Sequence, residues 1–334
     1  MATSAESPAA PSSSRKRVPD FFVVGSPKTG TTSLYQMLRR HPQIFMPDLK
    51  EPRFLASDMR PRPEHAGEPR ESGYPETLAD YLALFDKATP EQRVGEASTF
   101  YLWSRTAANN IADLQPEARI IAILREPASF LRSMHLMFLR WGIEGERDLQ
   151  KAMSLEAARR EGKHIPRHSH RPQLLQYSDH VRYVDQLRRY AARFPPEQML
   201  VLIYEDFHRD NEATVRRVMQ FLDVEDGSPI DVMNVNVTTR TVRSWRAKYL
   251  LRSISRGRSP IARSARSTVK ALTTRGLRRR MTRTIRSRVV TANPPPYDES
   301  FMIELRRRFK PEVVALSEYL DRDLVSLWGY DDVG

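Results

Sequence analysis

Residues 21–34 read Phe21-Phe22-Val23-Val24-Gly25-Ser26-Pro27-Lys28-Thr29-Gly30-Thr31-Thr32-Ser33-Leu34. Four consecutive apolar β-formers stop at Gly25-Ser26-Pro27, the pattern of a buried strand running into a loop. Beyond the loop, Leu34, Met37 and Leu38 recur at helical spacing over residues 31–40, and His41-Pro42 ends the run. Strand, tight loop and helix start together make an anion cradle. Loop N–H groups and the open helix N-terminus converge on one point, and the helix dipole favours negative charge there. Hydroxyls on Thr29, Thr31, Thr32 and Ser33 add donors.

Gly25 and Gly30 have the spacing of the nucleotide-kinase loop G-x-x-x-x-G-K-[ST], but Thr31 stands where that loop carries lysine. The lysine lies earlier, at Lys28, from where its ammonium reaches the bridging oxygen between a phosphate and a transferring group. Residues 27–34 resemble the 5'-phosphosulfate loop of the sulfotransferases that use 3'-phosphoadenosine-5'-phosphosulfate (PAPS). The resemblance implies that Lys28 stabilises the leaving phosphate oxygen, that Thr29, Gly30, Thr31, Thr32 and Ser33 hold the 5'-phosphate, and that no metal is needed.

Working outward, apolar runs at 119–124 and 199–204 alternate with helical patterns at 78–85, 127–141 and 174–190, and an amphipathic pattern returns over 297–328. The expected fold is α/β: a three-layer αβα domain over residues 19–330 with a mostly parallel central sheet and a P-loop-like phosphate loop. Arg125 sits where the run at 119–124 ends, and a guanidinium there suits a second phosphate. Arg125 and Ser133 resemble the family's 3'-phosphate pair in spacing, although Phe130 stands where many members carry a further arginine, with Arg132 nearby.

Transfer to a hydroxyl or amine needs a base beside the attacking atom. Glu51, in Lys50-Glu51-Pro52-Arg53, resembles the catalytic glutamate of the heparan-sulfate-type sulfotransferases. Glu96, in Gly95-Glu96-Ala97, resembles a second family segment at the active-site floor, either as base or as organiser of the acceptor pocket. A histidine base of the small-molecule type is absent from that region. The residues do not distinguish a sugar hydroxyl, a lipid headgroup, a phenol or an amino sugar as acceptor; a carbohydrate or lipid-linked glycan is favoured.

The chain of 334 residues carries a formal charge of +13, which calls for an anionic partner without choosing one. A nucleic-acid binder would account for the charge but not for the loop, and no RRM, KH or zinc-finger pattern is present. With no cysteine, disulfides and thiolate metal sites are excluded. His164, His168 and His170 cluster in a basic loop rather than on a helix. Residues 1–18, rich in Ala, Ser and Pro, read as a disordered leader, and the absence of a long apolar stretch gives a cytoplasmic expectation. Between Asp231 and Asp298 there is no acidic residue. Residues 234–296 therefore read as a basic, helical insertion or lid, with Arg243 as a candidate 3'-phosphate ligand and residues 240–290 as a peripheral membrane contact.

Overall fold

The computed structural model describes residues 17–59, 73–166, 169, 171–225, 241–242, 291–292, 294, 296 and 298–333. Nearly all of the leader, His168, His170, Arg243 and the bulk of the basic insertion lie outside the described residues. Arg17, near the end of the leader, already donates to Gln92 O at 2.7 Å.

Five strands, β1 (Phe21–Gly25), β2 (Ile44–Phe45), β3 (Arg93–Ala97), β4 (Arg119–Leu124) and β5 (Met199–Ile203), form one parallel sheet in the order β2-β3-β1-β4-β5. Phe22 pairs with Glu96 on one side and Ile120 on the other, and Ile121 pairs with Leu200. Successive side chains point to opposite faces, so β1 and β4 divide between two cores. Phe22, Val24, Ile120, Ala122 and Leu124 enter one core, while Phe21, Val23, Ile121 and Ile123 enter the other.

Helices cover both faces, as continuous apolar strands require. The second core is closed by α1 (Thr31–Arg39) and by residues that follow β5. The first core takes Tyr81 from α2 (Leu78–Ala83), Ile111 from α3 (Ala107–Leu114) and Phe138 from α4 (Pro127–Trp141). It also takes Met153 from α5 (Leu149–Ser154), and α6 (Glu156–Arg160) follows. Leu187 of α7 (Tyr183–Ala191) completes this part. After β5 come α8 (Tyr204–Arg209) and α9 (Asn211–Phe221), then α10 (Glu299–Leu320) and α11 (Leu324–Leu327). Phe207 and Val215 pack into the second core, Phe309 and Trp328 into the first.

The expected three-layer architecture is observed, with two differences. The pattern at 174–190 is one helix in the sequence but breaks into 3₁₀ turns, Pro172–Leu175 and Tyr177–Val181, before α7. Side chains take the backbone groups that a continuous helix would use. Glu156 accepts from Ser178 N–H, and Gln186 Nε2 donates to Asp179 O and His180 O. In the insertion, Thr241–Val242 pairs antiparallel with Thr291–Ala292, a ladder at its two ends that the helical expectation did not contain.

Connections from β1 run through α1 toward β2, whereas those from β4 run through α4 and α7 toward β5. Chain direction thus diverges between the adjacent carboxyl ends of β1 and β4, which is where open α/β sheets bind ligands.

Candidate active site

The loop after β1 and the residue after β4 meet at that crevice: Arg125 Nη1 donates to Lys28 O at 3.1 Å. A cavity of about 650 Å³ opens there, within the range of small-molecule sites. Gly30 is the residue before α1 and adopts φ 81°, no side chain caps the helix, and its first residues line the cavity. A Cβ at Gly30 would come within 2.7 Å of the Phe207 ring, so this position needs glycine for space as well as for conformation. Lys28, Gly30, Thr31, Thr32 and Ser33 line the cavity. Thr29 does not, because its hydroxyl turns inward to donate to Ser26 O at 2.6 Å.

Lys28 has a left-handed φ of 67°, a conformation tolerated where surrounding structure fixes it. Burial, followed by the charges of Arg125 and Arg140, holds its ammonium below the ordinary lysine range. Arg125 lies with its guanidinium 4.4 Å from the Tyr204 ring centroid. Its buried Nε has no hydrogen-bond partner. Ser133 lines the same wall, and so does Arg132, while Phe130 turns into the core against Tyr183.

Opposite the loop, Glu51 and Arg53 both have positive φ, 61° and 56°. The turn is fixed on the end of β3: Glu51 N–H donates to Ala97 O at 3.0 Å, and Arg53 N–H to Ser98 Oγ at 3.0 Å. Four donors reach the Glu51 carboxylate. Lys50 Nζ and Thr99 Oγ1 meet Oε1 at 3.1 Å each, while Arg53 Nε and Nη2 meet Oε2 at 3.2 and 2.6 Å. Burial alone would raise this carboxyl, but Lys50 and Arg53 outweigh it and hold it below its ordinary value.

Glu96 is fully buried on β3 and does not line the cavity. Its Oε2 accepts from Tyr81 O–H at 3.0 Å and its Oε1 accepts nothing. Burial pushes its carboxyl up to about 7, and the charge of Glu51 adds to the rise. The folded chain therefore binds a proton that the unfolded chain releases between pH 4.5 and about 7, so this group's contribution to stability declines as pH rises through that window. Urea unfolding at pH 5 and pH 8 measures it. Wild type should lose about 2–3 kcal/mol more than Glu96→Gln between the two, and equal losses would show that Glu96 does not titrate on folding.

Several lining residues had not been assigned from sequence: Ser129, Arg140 and Trp141 on α4, Thr99 after β3, and Tyr204, Phe207, His208 and Asn211 after β5. The α4 set was legible, since Ser129, Arg132, Ser133, Leu136 and Arg140 share one helical face. Tyr204 and Phe207 belong to the stretch 201–207, which resembles the family's late core strand and its acidic exit, and with His208 and Asn211 they reach the cavity because β5 lies beside β4. His135, on the core side of α4, bonds Tyr177 Oη at 2.9 Å and Arg147 O at 3.0 Å. Among the described residues, no group of three or more His, Asp or Glu is placed to hold a metal ion.

A family model described as "Sulfotransferase family" matches residues 19–227. Carbohydrate sulfotransferase 15 of Mus musculus is 27% identical over 262 residues, 62% of this chain and 44% of that protein. Bifunctional heparan sulfate N-deacetylase/N-sulfotransferase 3 of Homo sapiens is 27% identical over 214 residues, 62% of this chain and 22% of that protein. The chain thus spans less than half the length of these two curated relatives. A sulfotransferase structure from Alicyclobacillus acidocaldarius aligns with a TM-score of 0.63 and 26% identity, covering 93% of this chain and 99% of that one. The family match takes in the phosphate loop, Glu51, Glu96 and the strand end at Arg125, and on that extent the chain belongs to the sulfotransferase family.

Proposed function

We propose that this chain transfers a sulfuryl group from PAPS to a hydroxyl or amine of a carbohydrate acceptor. The observation that carries the reading is the pairing of two anion sites across one crevice, the open start of α1 with Lys28 and the strand-end Arg125. Of the described charged residues lining the cavity, Lys28, Arg125, Arg132 and Arg140 are fixed cations and only Glu51 is a carboxylate. That donor set suits a ligand with two separated phosphate groups.

In this reading the helix start and the hydroxyls of Thr31, Thr32 and Ser33 bind the 5'-phosphate. Arg125 and Ser133 bind the 3'-phosphate. Glu51 takes the proton from the acceptor oxygen as that oxygen attacks sulfur, and Lys28 stabilises the phosphate oxygen whose bond to sulfur breaks. Glu96 fits an organising role better than a basic one because it is fully buried and does not line the cavity.

The acceptor class is supported by the relatives, a carbohydrate sulfotransferase and a heparan sulfate N-sulfotransferase, and by Trp141, 44% exposed at the cavity. Its indole gives a sugar ring an apolar face to stack on. Among the described residues no helix is long and apolar enough to cross a membrane. The cytoplasmic placement expected from sequence belongs to the same reading, and cell fractionation tests it.

Calorimetric titration with 3'-phosphoadenosine-5'-phosphate (PAP), with AMP and ATP as controls, tests the donor assignment. Tight binding should require the 3'-phosphate, and Arg125→Ala should weaken it by about ten- to a hundredfold, the loss of a charged hydrogen-bonding pair. Equal binding of AMP, or a preference for ATP with magnesium, would reject the assignment. Release of PAP from PAPS across a set of oligosaccharides then identifies the acceptor.

A further inference from the structure

The guanidinium of Arg125 is aimed by the backbone at residues 125 and 126, and that backbone is gripped from behind by side chains. Tyr183 O–H donates to Arg125 O at 2.9 Å, and Glu126 N–H reaches Glu205 Oε1 at 3.4 Å. The Glu126 carboxylate closes the first turn of α4, accepting from Ala128 N–H at 3.0 Å and Ser129 N–H at 2.7 Å. Both carboxylates are then seized by a turn far along the chain. Tyr330 O–H donates to Glu126 Oε1 at 2.6 Å across 204 positions, and Trp328 Nε1–H donates to Glu205 Oε2 at 2.8 Å. Arg322 adds an ion pair with Asp206 at 2.7 Å.

The turn is itself rigid. Tyr330 N–H donates to Val325 O at 2.8 Å, Lys310 Nζ reaches Val333 O at 2.6 Å, and Trp328 and Tyr330 are 5% and 0% exposed. It bridges the end of β4 through Glu126 to the start of α8 through Glu205. Tyr204, the ring that carries the Arg125 guanidinium, is the residue before Glu205. Arrangements of Arg125 and of its aromatic support are thus tied to one distant element, and neither Trp328 nor Tyr330 lines the cavity.

We propose that the turn around Trp328 and Tyr330 is a positioning clasp for Arg125 that sets how strongly the site prefers a nucleotide with a 3'-phosphate. This inference rests on the role given to Arg125 above.

Titration of wild type, Tyr330→Phe and Trp328→Phe with PAP and AMP tests it. A clasp that acted only on overall stability would shift the melting temperature and leave the ratio of the two affinities alone. The expected result is a fall of about tenfold in the preference for PAP over AMP, with AMP affinity within about twofold of wild type. An unchanged ratio in Tyr330→Phe overturns the proposal. This variant removes one oxygen and decides the matter if Trp328→Phe fails to fold. A wild type without preference for PAP, or an Arg125→Ala variant that keeps it, rejects the Arg125 assignment instead.

Discussion

Lys28→Ala should lower kcat by about a hundred- to a thousandfold, the usual cost of removing one preorganised charge stabiliser from a transition state, while weakening PAP binding by less than about tenfold. The two effects separate because the ammonium faces little charge on the bridging oxygen in the ground state and much more as the sulfur–oxygen bond breaks. Alanine is a clean probe here. Both residues carry a Cβ, so the left-handed φ of 67° is strained in either, and the change isolates the ammonium. Burial, Arg125 and Arg140 all lower the Lys28 pKa, so its proton leaves at lower pH than that of an exposed lysine. Wild-type kcat/KM should therefore show an alkaline limb below 10.5 that Lys28→Ala lacks. Turnover within tenfold of wild type would remove Lys28 from the reaction.

The elements that sequence reasoning placed best are those in which local pattern and tertiary environment agree. β1, β4 and α4 are buried on their expected faces, and α4 starts with proline at its first position and ends before the left-handed Gly142. β3 was not read as a strand because its composition hides it. Gly95 leaves room for the Phe21 ring and Met46, where a Cβ would come within 2.1 Å of Phe21, and Glu96 is charged in water but held inside against Tyr81. A strand whose residues are chosen by close packing and by one buried carboxyl has no alternation to detect.

The site follows the same division. The phosphate loop was legible because strand, loop and helix start are contiguous, so one stretch of chain encodes the whole cradle. The proposed second anion site was legible only as a single arginine at a strand end. Its partners come from distant positions: Tyr204 supports the guanidinium, Tyr183 holds its backbone carbonyl, and Glu205 and Tyr330 act through residue 126. No spacing rule links residues 125, 183, 205 and 330. Burial of Glu96 beneath the cavity likewise depends on the β1–β3 register, which places it opposite Phe22.

Glu51→Gln should lower turnover by about a hundred- to ten-thousandfold, the range for loss of a general base, and leave PAP affinity within about twofold of wild type. The substitution keeps size and the φ of 61°; it removes the charge and the ability to take a proton, and turns one acceptor oxygen into a donor, so the groups now bonded to that oxygen must turn away. A carboxylate offers about four lone-pair directions, and Lys50, Thr99 and the two Arg53 nitrogens occupy them. One donor must therefore give way when the acceptor oxygen arrives. Arg53 already lies 5.9 Å from the ring centroids of Phe100 and Trp141, which offer its guanidinium an alternative support. The same cations keep Glu51 ionised below the ordinary carboxylate pKa, so the acid limb of wild-type kcat/KM should fall below pH 4.5. Arg53→Ala should move that limb upward, because the burial that raises the carboxyl would remain while a compensating charge is lost. An active Glu51→Gln enzyme would transfer the basic role to Glu96. An acid limb near pH 7, matching the raised Glu96 carboxyl, would then be expected in place of the low one.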